Sequence, residues 1–168
     1  MSVPTPSIRR FPSASRRRQR GIAAVEFAIV FPVFFTVFYG LVTFALIFLA
    51  QHSLTLAAAE GARSAIRYQP ATTQAIALAS RSTLACSTAA GLVQWLPGAG
   101  ASTSSVSCVV TSPPCLYDAT LICMQVQMTY AYGQNPLVPL IPFAVAVLPA
   151  NLYGVATVQI NPINLTTS

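Results

Sequence analysis

The stretch RRRQRGIAAVEFAIVFPVFF, residues 16–35, holds two features that pull against each other. Four arginines lead into a long apolar run, the arrangement that precedes a membrane-spanning helix. Glu26 stands just inside that run, where a carboxylate is costly. It follows a lone glycine, Gly21, with four residues between them.

Working outward, the segment from Phe27 to Ala50 carries no charged side chain. At helical rise it spans about 36 Å, against a hydrocarbon core of about 30 Å. Pro32 falls in the first two turns, where the loss of one backbone hydrogen bond is tolerable. Six arginines (Arg9, Arg10, Arg16, Arg17, Arg18 and Arg20) precede the span, and only Arg63 and Arg67 follow closely. That asymmetry predicts a cytoplasmic N-terminus and places everything after about Gln51 outside.

The composition agrees with an anchored protein. The chain has 168 residues, of which 54% are hydrophobic and 7% charged, whereas soluble domains run near a quarter charged. The net charge of +6 belongs to the N-terminal tail, because from Ile22 onward Arg63, Arg67 and Arg81 are balanced by Glu26, Glu60 and Asp118. A basic tail ahead of an apolar run is a topogenic signal and not a nucleic-acid-binding face. A cleaved secretory signal is the competing reading, with "LAAAEGA" (56–62) offering a site after Ala59. Its apolar core normally ends within 7–15 residues, and this one is longer.

Gly21, Glu26 and Phe27 form G-x-x-x-x-E-F behind arginines and ahead of an apolar helix. This resembles the processing site of type IV prepilins, in particular TadE-like pseudopilins of the tight-adherence (Flp/Tad) type IVb pilus system. The resemblance implies that a membrane-embedded prepilin peptidase cuts after Gly21 on the cytoplasmic side, making Ile22 the new N-terminus. Cleavage would place an ammonium on Ile22 one helical turn from the Glu26 carboxylate. An acid near lipid is tolerable when a cation is available to it, on its own chain or a neighbour. A helix N-terminus also favours negative charge. The segment after the span, "QHSLTLAAAEGARSAIRYQ" (51–69), is similar to the family's glutamine, alanines and arginine-glutamate-glycine-alanine-arginine run. Gln51, Ala57, Ala58, Glu60, Gly61, Ala62 and Arg63 fit, while Ala59 stands where the family has arginine and leaves Glu60 one partner fewer.

The resemblance further implies a minor pseudopilin in pilus assembly, since the chain is large beside the short major pilins of that system. Its partners would be the prepilin peptidase, other pilins and pseudopilins, and membrane lipid, with no nucleic acid. It would sit in the cytoplasmic (inner) membrane as a single-pass protein, its C-terminus periplasmic or extracellular, with association with the pilus itself also allowed. Two other readings stand beside it: an uncleaved signal-anchored extracytoplasmic binding or structural protein, and a disulfide domain secreted by release at Ala59.

Beyond the span, Leu54, Ala58, Ala62 and Ile66 recur every four residues, which predicts a helix leaving the membrane with Glu60, Arg63 and Arg67 on another face. Gly61 costs about 1 kcal/mol relative to alanine there, so close backbone packing is its expected justification. Pro70 is the expected stop, and a weaker helical pattern covers 71–86. Residues 91–115 read as loop with one strand, Ser105 to Val110, and Gly98-Ala99-Gly100 as a turn. "LICMQVQMTYAY" (121–132) alternates as a half-buried strand, with Met124 and Met128 expected in the core. Another strand is expected at Leu152 to Ile160. The proline-broken stretch 135–150 is too short for a second span and reads as a packed or membrane-surface loop.

Cys86, Cys108, Cys115 and Cys123 all follow the span, and an even count in an oxidising compartment reads as two disulfides with three possible connectivities. No C-x-x-C pair is present, and the one histidine, His52, lies beside the membrane, so no metal is expected. One histidine and three acids assemble no catalytic site, and neither an enzyme nor a cofactor is expected. The expected fold is α+β: a long N-terminal transmembrane helix extending outward, then a small disulfide-linked pilin-like domain of short antiparallel strands. In segments, this gives a basic leader (1–21) that is cleaved, the transmembrane helix (22–50), an outer helical region (51–85) and a disulfide-linked strand and loop region (86–168).

Overall fold

The computed structural model describes residues 16–100, 104–139 and 148–165. In chain order it contains α1 (Arg16–Ala65), α2 (Gln74–Leu92), β1 (Val106–Thr111), β2 (Ile122–Tyr130), β3 (Leu152–Ile160) and a short 3-10 turn, Pro162–Asn164. The architecture is the expected α+β, a long apolar N-terminal helix followed by a small disulfide-linked domain of three antiparallel strands. The chain divides into two compact units, Met1–Val42 and Thr43–Ser168.

Within the first unit the described side chains are those of α1, and nearly all are exposed. Its phenylalanines meet along the helix at four-residue spacing, Phe27 tilted against Phe31 with ring centroids 5.3 Å apart and Phe34 stacked on Phe38 at 6.2 Å. The helix runs on through Pro32, and the Thr36 hydroxyl donates to the Pro32 carbonyl at 2.8 Å. Helix α1 is long and apolar enough to cross a membrane.

The second unit is built on a sheet of order β1-β2-β3, antiparallel throughout. The period-two alternation of β2 sends Met124, Val126, Met128 and Tyr130 to a fully buried face, as their spacing predicts. The C-terminal part of α1 and helix α2 cover that face. Ala50, Leu54, Ala57 and Ala58 of α1 share one core cluster with Ala89 of α2, Met128, Tyr130 and Leu152. A second joins Ala62, Ala65, Ala77 and Ala85 to Met124, Val126, Ile160 and Leu165. Alanine dominates the helical side because small side chains let the backbones approach closely.

Two glycines mark where that approach is tightest. A Cβ on Gly61 would lie 2.9 Å from the Ala85 carbonyl oxygen and 3.1 Å from the Ala89 Cβ, so α1 and α2 meet there. The packing expected of Gly61 is therefore present. A Cβ on Gly154 would overlap the Leu54 carbonyl and lie 2.7 Å from the Thr55 nitrogen, so β3 presses directly on the α1 backbone. Gln51 adds a hydrogen bond across the same contact, donating to the Tyr153 carbonyl at 2.5 Å.

Several sequence expectations shift by a few residues. Helix α1 ends at Ala65, ahead of Pro70, in a tightened turn where the Ile66 and Arg67 N–H groups reach back to the Arg63 and Ser64 carbonyls. Ile66 is consequently 53% exposed, and Ala65 completes the buried face instead. Helix α2 begins at Gln74 because Thr73 caps it, accepting from the Ile76 N–H at 3.3 Å. It continues past Cys86 into the stretch read as loop, since Ala89 is fully buried there. Strand β1 lies one residue later than predicted and β3 matches its expected bounds. Gly98 is in a turn at φ +76°, a conformation that favours glycine. Of the 135–150 stretch, 140–147 lies outside the described residues, while the flanking Leu137 and Leu148 pack on the core.

The cysteines pair as Cys86–Cys108 and Cys115–Cys123. The first staples α2 to the edge strand β1, and the second closes a short loop leading into β2. With sequence separations of 22 and 8 residues, loop-closure entropy assigns them about 3.4 and about 2.5 kcal/mol. Peptide mapping of the unreduced protein should recover these two linked pairs and no free thiol; recovery of Cys86 linked to Cys115 or Cys123 would refute the arrangement. Gly154→Ala should destabilise the domain by about 1–3 kcal/mol or more, because backbone on the far side cannot yield. Gly61→Ala should cost less, since gained helix propensity of about 1 kcal/mol partly offsets its clash. Thermal unfolding of the detergent-solubilised protein would rank the two.

Candidate functional site

Gly21, Ile22, Glu26 and Phe27 all lie within α1, in its first turns, and are exposed. Gly21, Ile22, Val25, Glu26 and Ile29 line one shallow groove along the helix. The four-residue spacing of Ile22 and Glu26 places them one turn apart on the same side. Glu26 forms no ion pair among the described residues. Nothing within 4 Å would meet a Cβ on Gly21. Unlike Gly61 and Gly154, it is not required by packing among the described residues, although it costs helix stability. Gly40, in mid-run, is equally open.

The outer part of the motif belongs to the second unit. Gln51 holds β3, Gly61 admits α2, and Ala57, Ala58 and Ala62 are buried. Glu60 accepts from Arg63 at 2.6 Å, three residues on, and the arginine is 73% exposed. An exposed pair of this kind contributes about 0.2–0.5 kcal/mol. The small residues and Gln51 thus carry the packing, and the Glu60–Arg63 pair decorates the surface. His52 is exposed, and among the described residues no three His, Cys, Asp or Glu side chains gather to hold a metal ion.

Two features escaped the sequence reading. Arg81 is 2% exposed and sits in the buried stripe of α2 with Ala77, Ala85 and Ala89. Its guanidinium donates to the Ala65 carbonyl at 3.1 Å and the Ile66 carbonyl at 3.4 Å. It thereby satisfies carbonyls that the end of α1 leaves open and complements the negative end of the helix dipole. The four-residue recurrence of Ala77, Arg81, Ala85 and Ala89 was the available signal. The second feature is the loop closed by Cys115–Cys123. There Thr120 donates to Asp118 through its hydroxyl at 2.6 Å and its backbone N–H at 2.9 Å. These bonds, the hydroxyl first, hold the Asp118 carboxyl below its ordinary value of 3.8. A lowered folded value means the turn's contribution is present above 3.8 and is lost as pH falls through that lower value.

The described residues hold one helix long and apolar enough to cross a membrane, with an acid near the start of its apolar run, and a stapled three-stranded domain. Residues 21–63 match the family model TadE, described as TadE-like protein, so this segment is similar to that family. No curated protein and no solved structure gives a significant match. The matched segment begins at Gly21 and ends at Arg63, covering both halves of the motif.

Arg81→Met should lower domain stability by about 2–3 kcal/mol through loss of charge-assisted hydrogen bonds to the end of α1. Urea unfolding of the oxidised protein measures it, and an unchanged midpoint would remove the capping role.

Proposed function

We propose that this protein is a minor pseudopilin acting in assembly of a tight-adherence pilus, matured by a prepilin peptidase that cuts between Gly21 and Ile22. The observation that carries the reading is that the TadE-like match begins at Gly21 and runs through Glu26, the apolar run and the Glu60-Gly61-x-Arg63 segment. In this reading the leader 1–21 stays cytoplasmic, residues 22–50 span the inner membrane, and the helical region 51–85 with the stapled region 86–168 lies outside. The arginine asymmetry about the span supports that orientation.

The physics of the cleavage site supports the same reading. A glycine with no neighbour to pack against weakens the helix locally and gives an enzyme close access to the backbone. Cutting there frees an amine on Ile22, one turn from Glu26. A carboxylate at the middle of a span costs about 2.5–3.5 kcal/mol and less near its end. Alanine would anchor equally well, so the acid gains from a cation, either its own new N-terminus or that of an adjoining subunit. Pairing between subunits would fix axial register, because a slip of one turn, about 5.4 Å, breaks it. The second reading, an uncleaved signal anchor bearing an outer binding or structural domain, shares every feature except processing.

Intact mass of the membrane-extracted protein separates these: loss of residues 1–21 for the pseudopilin, no loss for the anchor, loss of 1–59 for a secreted domain. Gly21→Leu should leave full-length precursor, and its normal maturation would contradict cleavage at that bond. Glu26→Gln should insert and be at least partly cleaved yet fail to co-isolate with other pilus components. Assembly equal to the parent's would reduce Glu26 to a headgroup contact.

A further inference from the structure

We infer that the end of the sheet where α1 terminates is a self-association surface, on which a second copy of the chain docks through Asp118 and Arg67. The inference does not rest on the pseudopilin reading. Three segments converge at this end. Ile66 and Tyr68, just past α1, share a cleft with Ile160 and Asn161. Ile160 pairs with Ile122, Ile122 bridges Pro114, and Cys123 is bonded to Cys115. The turn after β3 therefore lies beside the end of α1, and the loop 115–123 leads into the neighbouring strand at the same end of the sheet.

This end displays the most exposed apolar side chains described in the chain: Tyr117 at 94%, Leu116 at 92% and Ile163 at 82%. Ile66 and Tyr68 add to them, each more than half exposed. Large apolar side chains so fully solvated at one end of a sheet mark an interaction site. They are also held ready. The Cys115–Cys123 bond, the Cys115 N–H to the Leu121 carbonyl at 3.1 Å, and the Asp118–Thr120 turn fix the loop before any partner arrives. Preorganisation of this kind removes much of the ordering cost of association.

Charge selects the occupant. Asp118 is the single charged side chain after Arg81, and it stands next to Tyr117. Its hydrogen-bond partner is Thr120, and it forms no ion pair among the described residues. Arg67, exposed between Ile66 and Tyr68, forms none among the described residues either, and Glu60 is paired with Arg63. One copy thus offers one acid and one cation at the same end, each flanked by apolar groups. A two-fold arrangement places Asp118 of each copy against Arg67 of the other and Leu116–Tyr117 against Ile66–Tyr68. A partner of one charge sign would leave one of the two groups unmatched.

The test is sedimentation equilibrium of the intact, oxidised chain in density-matched detergent. The parent should dimerise, and Asp118→Arg or Arg67→Asp should each weaken dimerisation about tenfold or more. The double reversal should restore it to near the parent value. Asp118→Asn keeps the acceptor for Thr120 and removes the charge, so it should weaken dimerisation with the loop intact; free-thiol titration verifies both disulfides in every variant. A parent that stays monomeric, or a dimer indifferent to the charge reversals, overturns the inference. So does a benzophenone side chain at position 117 that, in native membranes, links a different protein and never a second copy.

Discussion

The second unit depends on one constraint: α1 lies so close to the sheet that no side chain fits between Leu54 and Gly154. Alanine dominates the helical side of that contact. Ala50, Ala57, Ala58, Ala62 and Ala65 line the buried face of α1, and Ala85 and Ala89 meet Gly61 from α2. Interiors pack to near-crystalline density, so a helix seated this low leaves no freedom in its neighbours. Larger side chains fill the space that the alanines leave: Met124, Val126, Met128 and Tyr130 from β2, with Leu54, Val93, Tyr132 and Leu165 from outside the sheet.

A core made of so much alanine buries little apolar area per residue, and the domain is small. The two disulfides answer that shortage at different places. Cys86–Cys108 joins α2 to β1, the edge strand, while Cys115–Cys123 stiffens the approach to the central strand β2. Arg81 performs a related task with hydrogen bonds, tying α2 to the last carbonyls of α1. The end of α1 is therefore set by a side chain from another helix and not by Pro70, which lies beyond the turn.

Two kinds of constraint divide the segment that matches the TadE-like family model. In its outer half the small or hydrogen-bonding positions are explained by packing in the chain itself: Gly61 against α2, Gln51 on the Tyr153 carbonyl, and the alanines in the core. In its first turns Gly21 and Glu26 are both exposed, and among the described residues nothing would meet a Cβ on Gly21. Residues that a fold does not require are where a function exerted by another molecule is most legible, and this asymmetry is what directs attention to Gly21 and Glu26.

The sequence by itself determined whatever depends on local periodicity and charge. The apolar run, its length, the alternation of β2, the bounds of β3, the close packing at Gly61 and the motif around Gly21 are all properties of neighbours along the chain. Tertiary structure decided what depends on residues distant in sequence. It chose one cysteine connectivity among three, because only contact between α2 and β1 brings Cys86 to Cys108. It required Gly154, whose lack of a side chain has no meaning until α1 lies across it. It buried Arg81 on an alanine stripe, where a charge looks misplaced until the open carbonyls of α1 are seen beside it. Local pattern fixes which face of an element is apolar; which element covers that face is settled by packing between them, and no spacing along the chain encodes it.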